Sequence, residues 1–219
     1  MSHPTRQPPW TPPNPLPGPF KGLGLVIRRY HQSDAARVFE AISLSRENLW
    51  PWMPWAKSNY LSLEQTLDSI ARFEQSWADP LRPEYNTTSG FIMGVFEEST
   101  GDLLGGTGFN RLDPSIHNAE TGYWVRADRQ RRGIATRILR VGLSMGFTPQ
   151  SRSGLGFRRV HIFAAAPNVP SCGVPAKLGL RQSLHARLDR WIDGIGYCDT
   201  IGWDVLAAEW DAESCRLRE

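Results

Sequence analysis

The residues best suited to chemistry lie in one stretch, Tyr123-Trp-Val-Arg-Ala-Asp-Arg-Gln130-Arg-Arg-Gly133-Ile-Ala135-Thr136. Its pattern is a strand end, a short arginine-rich loop and a helix that begins near Gly133. The first backbone N–H groups of a helix have no intrahelical partner, and the helix dipole adds partial positive charge there. Such a terminus suits a pyrophosphate. Gly133 and Ala135 keep the surface bare, so a phosphate can reach the backbone. Six arginines fall between Arg126 and Arg140 against a single acid, Asp128. A ligand carrying several phosphates accounts for that excess, although charge runs more often simply face water. The loop is neither GxxxxGK[ST] nor GxGxxG. Gly101 to Gly108 is glycine-rich, but it lies in an expected hairpin with no following helix and reads as bulges and close packing.

The elements that must position this loop can be read from periodicity and turn signals. Leu25 to Tyr30 is an expected strand. Ser33-Asp34 caps a helix with Ala36, Val38, Phe39 and Ile42 on roughly one face. Ser62-Leu-Glu-Gln65 is a capping box that opens a second helix to about Trp77. Gly90–Phe96, Leu103–Arg111 and Glu120–Arg126 read as strands. Gly133–Phe147 reads as a helix, Arg159–Ala165 as a strand, and Asn168–Leu178 as a short helix ending at Gly179. Two last strands, about Arg181–Trp191 and Tyr197–Leu206, flank Asp193-Gly194, a hairpin signal. The order gives an α/β (α+β) domain with a mixed sheet of about six or seven strands and about four helices.

The chain has 219 residues, 40% hydrophobic and 21% charged, which suits one globular domain. A net charge of +3 does not by itself argue for nucleic acid. Cys172, Cys198 and Cys215 lack ligand spacing, so no metal is expected, and free thiols suit a reducing, cytoplasmic setting. No apolar run reaches the roughly 20 residues of a membrane span. Eight of the 17 prolines lie in the first 19 residues. Residues 1–22 therefore read as a proline-rich arm, disordered or lying along a 23–210 domain, with 211–219 as a tail.

Gln130-x-x-Gly133-x-Ala135 resembles the pyrophosphate loop of the GNAT (GCN5-related N-acetyltransferase) superfamily. Glu120-Thr-Gly-Tyr-Trp-Val125, Asn168-x-x-Ser171, Lys177-Leu-Gly-Leu180, Leu49-Trp-Pro-Trp-Met-Pro-Trp55 and Gly105-Gly-Thr-Gly-Phe109 resemble its RimJ/RimL-like branch, in order, over roughly residues 23–210. The resemblance implies a mostly antiparallel sheet splayed between the Glu120–Arg126 and Arg159–Ala165 strands. It implies acetyl-CoA as cosubstrate, with the pyrophosphate on the amides of Arg131, Arg132, Gly133, Ile134 and Ala135, flanked by Gln130 and Thr136. Tyr123, Trp124 and Val125 would pair with the pantetheine arm, and Asn168 would bond it or the following helix. Thr136-Arg137 departs from the family pattern. Pro170 and Pro175 bracket the short helix, and Pro175 is expected to kink it or confine it to a turn. The polar 148–158 loop either borders the cleft or is inert surface.

Acetyl transfer to an amine needs a group that removes the amine's proton, an oxyanion donor and a proton for the thiolate. Ser171 is the candidate for the last role, with helix capping as the competing reading. Glu120 is the candidate base; a solvent-facing strand carboxylate fits it equally. Asp199 and His185 are weaker candidates. Trp50, Trp52 and Trp55 form either one wall of the acceptor pocket or, the preferred reading, core packing. The resemblance implies a protein N-terminal α-amino group as acceptor, with a small-molecule amine as the alternative. A non-catalytic CoA-binding or nucleic-acid-binding module ranks last, because the arginines cluster on one loop. A homodimer is compatible with the sequence.

Overall fold

The computed structural model describes residues 8–86, 90–211, 215 and 217. One sheet of eight strands runs in the order β1-β2-β3-β4-β5-β6-β8-β7. The strands are β1 (Phe20–Gly22), β2 (Leu25–Arg28), β3 (Phe91–Glu97), β4 (Leu103–Asp113), β5 (Asn118–Val125), β6 (Arg159–Ala165), β7 (Arg181–Ile192) and β8 (Gly196–Leu206). Every neighbouring pair is antiparallel except β5 and β6. The helices are α1 (Ala35–Leu49), α2 (Trp55–Ser58), α3 (Leu63–Ala78), α4 (Pro83–Asn86), α5 (Ile134–Phe147) and α6 (Val169–Lys177). The four helices expected from the sequence are joined by two single-turn ones, α2 and α4.

Alternation along the strands separates two cores. On one face, Leu25, Ile27, Met93, Val95 and Leu104 pack against Ile138, Leu139 and Leu143 of α5. On the other, Tyr30, Phe96 and Leu103 pack against Val38 and Ile42 of α1 and Ile70 of α3. Helix α3 starts as its capping box dictates: the Ser62 hydroxyl accepts a bond from Gln65 N–H at 3.1 Å. Gln65 Oε1 accepts from the N–H of Leu61, one residue before the cap.

The strand missing from the sequence reading is β1. The expected arm ended at 22, but Phe20–Gly22 pair with β2 through a two-residue turn. Leu23 and Gly24 both hold positive φ, 52° and 74°, the twist that a tight hairpin requires. With only three residues and a proline-rich lead, β1 carries too little periodicity to be seen. The arm lies along the domain from Pro8 onward. Trp10 is buried between Phe91 and Phe157, and its Nε1–H donates to Leu155 O at 2.7 Å. The 148–158 loop is the other half of this contact, since Leu155 and Phe157 are core residues rather than cleft residues. Most of the expected 211–219 tail lies outside the described residues, but Cys215 is buried in the larger core.

Candidate active site

Strand β5 pairs with β4 along most of its length, from Asn110↔Glu120 to Gly105↔Val125. With β6 it pairs only from Asn118↔Arg159 to Glu120↔His161. Beyond Glu120 the two strands diverge, while β6 stays paired with β8 as far as Ala165↔Thr200. The edge of Thr121–Val125 facing β6 thus has no strand partner. It exposes amides and carbonyls in a cleft of about 640 Å³ at the splay. Glycine in β4 makes the wall possible. A Cβ at Gly106 would lie 2.4 Å from Trp124 Nε1, so its absence lets the indole lie against β4. Trp124 then meets Trp55 edge-on, with ring centroids 6.4 Å apart.

The basic loop continues directly from β5. A 3-10 turn spans Ala127–Arg129, and the Ala127 N–H donates to Ser45 Oγ of α1 at 2.9 Å. Gln130 Nε2 donates to Val125 O at 3.4 Å, folding the loop back on its own strand. Gly133 caps α5 with φ 72°, a conformation natural to glycine. A Cβ built there meets nothing within 4 Å, so the bare backbone faces open space.

The charge balance differs from the sequence reading, which counted only Asp128. Arg126 also pairs with Glu40 at 2.9 Å, and Arg129 with Asp102 at 3.2 Å, both acids distant in sequence. Arg131 and Arg132 remain exposed, without an ion pair among the described residues. The loop therefore offers a focused positive charge beside a helix N-terminus, rather than a broad basic face.

Across the cleft stands α6. Asn168 is its cap, its Oδ1 accepting from Ser171 N–H at 3.3 Å. Capping therefore falls to Asn168 and not to Ser171, which lies inside the first turn. Pro175 sits within the helix, which nonetheless runs for 9 residues. The Tyr123 hydroxyl donates to Ser171 O at 3.3 Å, bringing a phenol to the place where the sequence seemed to offer only serine. Burial pushes that phenol well above the ordinary tyrosine range, against a smaller opposing effect of its bond to Ser171. Alternation alone could have aimed Tyr123 away from Trp124, but nothing in the sequence aims it at α6.

The other candidates are dispersed. Glu120 lies at the last β5–β6 pairing, on the Trp124 face of the strand, and does not line the cleft. Its carboxylate is held by Arg111 at 2.8 Å, and Arg111 adopts φ 47° where the β4–β5 register breaks. His185 Nε2 and Asp199 Oδ2 bind each other at 2.6 Å on β7 and β8, away from the cleft lining. The Leu188 N–H and His185 both hold the Asp199 carboxyl below the usual range.

The three tryptophans do not form one wall. Trp52 lines the cleft, Trp55 belongs to the α1–α3 core, and Trp50 lies under the Lys57 ammonium at 5.3 Å. Asn48, Met53 and Lys177 also line the cleft. Asn48 had no signal in the sequence and Met53 only its place in the Leu49–Trp55 motif, because the end of α1 and the following turn acquire their aspect only through packing.

Among the described residues no cluster of His, Cys, Asp and Glu is arranged to hold a metal, and no helix is long and apolar enough to cross a membrane. A family profile described as an acetyltransferase (GNAT) domain matches residues 24–181. The "Putative ribosomal N-acetyltransferase YdaF" of Bacillus subtilis (strain 168) is 26% identical over 86% of this chain and 94% of its own length. Mycobacterium smegmatis RimJ, solved with CoA-disulfide, superposes with a TM-score of 0.72 at 20% identity, covering 90% of this chain and 91% of that one. RimL, a ribosomal L7/L12 alpha-N-protein acetyltransferase solved with coenzyme A, gives 0.68 at 17% identity over 84% and 94%.

Proposed function

The chain belongs to the GNAT acetyltransferase family, and from that premise we propose that it moves the acetyl group of acetyl-CoA to the α-amino group of a protein or peptide N-terminus. One observation carries the cosubstrate: the unpartnered edge of Thr121–Val125 runs straight into the bare helix start at Gly133. An elongated ligand with a peptide-like arm and a pyrophosphate matches both parts, the arm adding to the strand edge and the phosphates meeting the amides of Arg131 to Ala135. Acetyl-CoA supplies an activated thioester carbonyl. The residues contributed by the chain are a backbone N–H near Val125 toward the oxyanion, and Ser171 with the adjacent Tyr123 hydroxyl toward the departing thiolate.

The acceptor reading rests on the ribosomal-protein acetyltransferases among the relatives and on amine chemistry. An α-amine, with a pKa near 8, is far more often neutral at pH 7 than a lysine near 10.4. Glu120 lies outside the cleft lining and is paired with Arg111, so it attracts the incoming ammonium or takes its proton through water only if the carboxylate exchanges Arg111 for the amine.

The test is acetyl-CoA consumption measured across N-terminal peptides, lysine peptides and small amines. Turnover confined to small amines would replace the peptide acceptor with the small-molecule alternative. CoA binding without turnover on any amine would leave a non-catalytic module.

A further inference from the structure

The amides proposed to hold the diphosphate belong to a stretch that does not hold its own shape. Arg131 has φ 61° and Gly133 φ 72°. Glycine takes such a value freely, but an L-residue with an exposed side chain stays there only where its surroundings impose it. Arg131 has no ion pair among the described residues that could do so. The shape of the loop is therefore set by its two ends. The far end is α5, anchored in the larger core through Ile134 and Ile138. At the near end, the Arg126 N–H still donates to Leu104 O of β4 at 2.9 Å. The next amide, Ala127 N–H, leaves the sheet and donates to Ser45 Oγ of α1 at 2.9 Å. The same hydroxyl donates to Ala41 O at 2.7 Å, so both of its roles are engaged. Ser45 is 0% exposed. The ion pairs beside it, Arg126 with Glu40 and Arg129 with Asp102, each include an acid at least half exposed, and such pairs hold little.

We infer that Ser45 is a positioning residue for the cosubstrate: acting through the Ala127 N–H, it ties the diphosphate loop to α1 and keeps that loop in the conformation that meets the phosphates. This rests on the acetyl-CoA reading above. Helix α1 is a fitting anchor, because one turn beyond Ser45 it brings Asn48 and Leu49 into the cleft lining. Ser45 thereby fixes the diphosphate site and that wall relative to each other. Without the tie, the loop samples further conformations and only a fraction of molecules can bind. Apparent affinity then falls by that fraction. Acetyl-CoA, once bound, imposes the competent conformation again, so the rate at saturation is preserved.

Ser45→Ala and Ala127→Pro break the bond from opposite sides. Alanine suits the interior of α1. Arg126, at φ −50° and ψ 133°, already has the backbone favoured before proline, and Ala127 opens the 3-10 turn, a place that proline tolerates. Circular dichroism and Tm establish that each variant is folded, and if one is not, the other carries the test. Isothermal titration with CoA should show Kd raised ~3- to 30-fold in each, the range of one hydrogen bond lost at a buried place. The KM for acetyl-CoA should rise with it, while kcat and the acceptor KM stay near the parent's. The double variant should bind no more weakly than the weaker single one, because both changes remove the same bond. A lowered Tm with the parent's Kd in the folded variants overturns the positioning role alone and leaves Ser45 a structural residue. Losses that add in the double variant overturn it too, as does a fall in kcat with the acetyl-CoA KM unmoved. A parent that binds no CoA overturns the cosubstrate reading and this inference with it.

Discussion

Replacing Gly133 tests the cosubstrate site with the fewest competing explanations. Its φ of 72° costs an L-residue about 1–2 kcal/mol, less for asparagine, which tolerates this region. No protein atom lies within 4 Å of a Cβ placed there, so steric clash adds nothing in the free protein. The loss is small against a domain stability of about 5–15 kcal/mol, and each variant should stay folded with Tm lowered by ~2–8 °C.

Binding should respond very differently, because the open space around Gly133 is where the phosphates are placed. Gly133→Asn and Gly133→Gln introduce bulk alone. Gly133→Glu adds a negative charge near the diphosphate, worth about 1–3 kcal/mol of repulsion at a partly screened site, or ~5- to 150-fold in Kd beyond the effect of Gln. Isothermal titration with CoA at low and high salt separates the two, since only the charge contribution shrinks as salt rises. If Gly133→Glu is folded by circular dichroism and binds CoA with the parent's Kd, the pyrophosphate does not sit at this helix start.

Other expectations concern turnover, the arm and acid stability. Ser171→Ala should lower kcat by ~10²-fold with little change in acetyl-CoA affinity, and Tyr123→Phe made beside it shows which hydroxyl carries the proton; steady-state kinetics read both. Trp10→Ala should destabilise the domain by about 3–5 kcal/mol, while Trp10→Phe, which keeps an aromatic ring and leaves the Leu155 carbonyl only its longer bond from Gln150 Nε2 at 3.3 Å, should cost about 0.5–1.5 kcal/mol; urea unfolding measures both. Asp34 is pushed up by burial, but more strongly down by the two Arg28 hydrogen bonds and the His31 N–H, so its pKa lies below the ordinary 3.8. Its stabilising contribution is therefore complete above that value and lost as pH falls below it, so Tm between pH 6 and 3 should fall more steeply in the parent than in Asp34→Asn.

Much of the fold was legible because its signals are local. Strand β6 and the helix start near Gly133 follow from alternation, an apolar 3.6-residue period and a glycine boundary, none of which needs a distant partner. The Gln130-x-x-Gly133-x-Ala135 loop was legible for the same reason, since an anion site at a helix terminus consists of adjacent backbone groups. What lies across the cleft was not.

The acids that neutralise Arg126 and Arg129 come from α1 and from the turn before β4, so that of the four arginines between 126 and 132 only Arg131 and Arg132 are left without an ion pair among the described residues. Tyr123 and Ser171 lie 48 positions apart, and only the divergence of β5 from β6 lets the phenol reach α6. Trp10 fell in an arm read as disordered or lying along the domain, because proline composition describes backbone stiffness and not where an indole finds a vacancy. Trp50, Trp52 and Trp55 share one sequence motif yet face three environments, since the turn after α1 rotates each side chain differently. The sequence alone determined most of the elements, short ones such as β1 excepted, and the place proposed for an anionic ligand. The tertiary structure alone decided which side chains face that ligand together, because facing depends on strand register and helix rotation, which are settled by burial across the whole sheet.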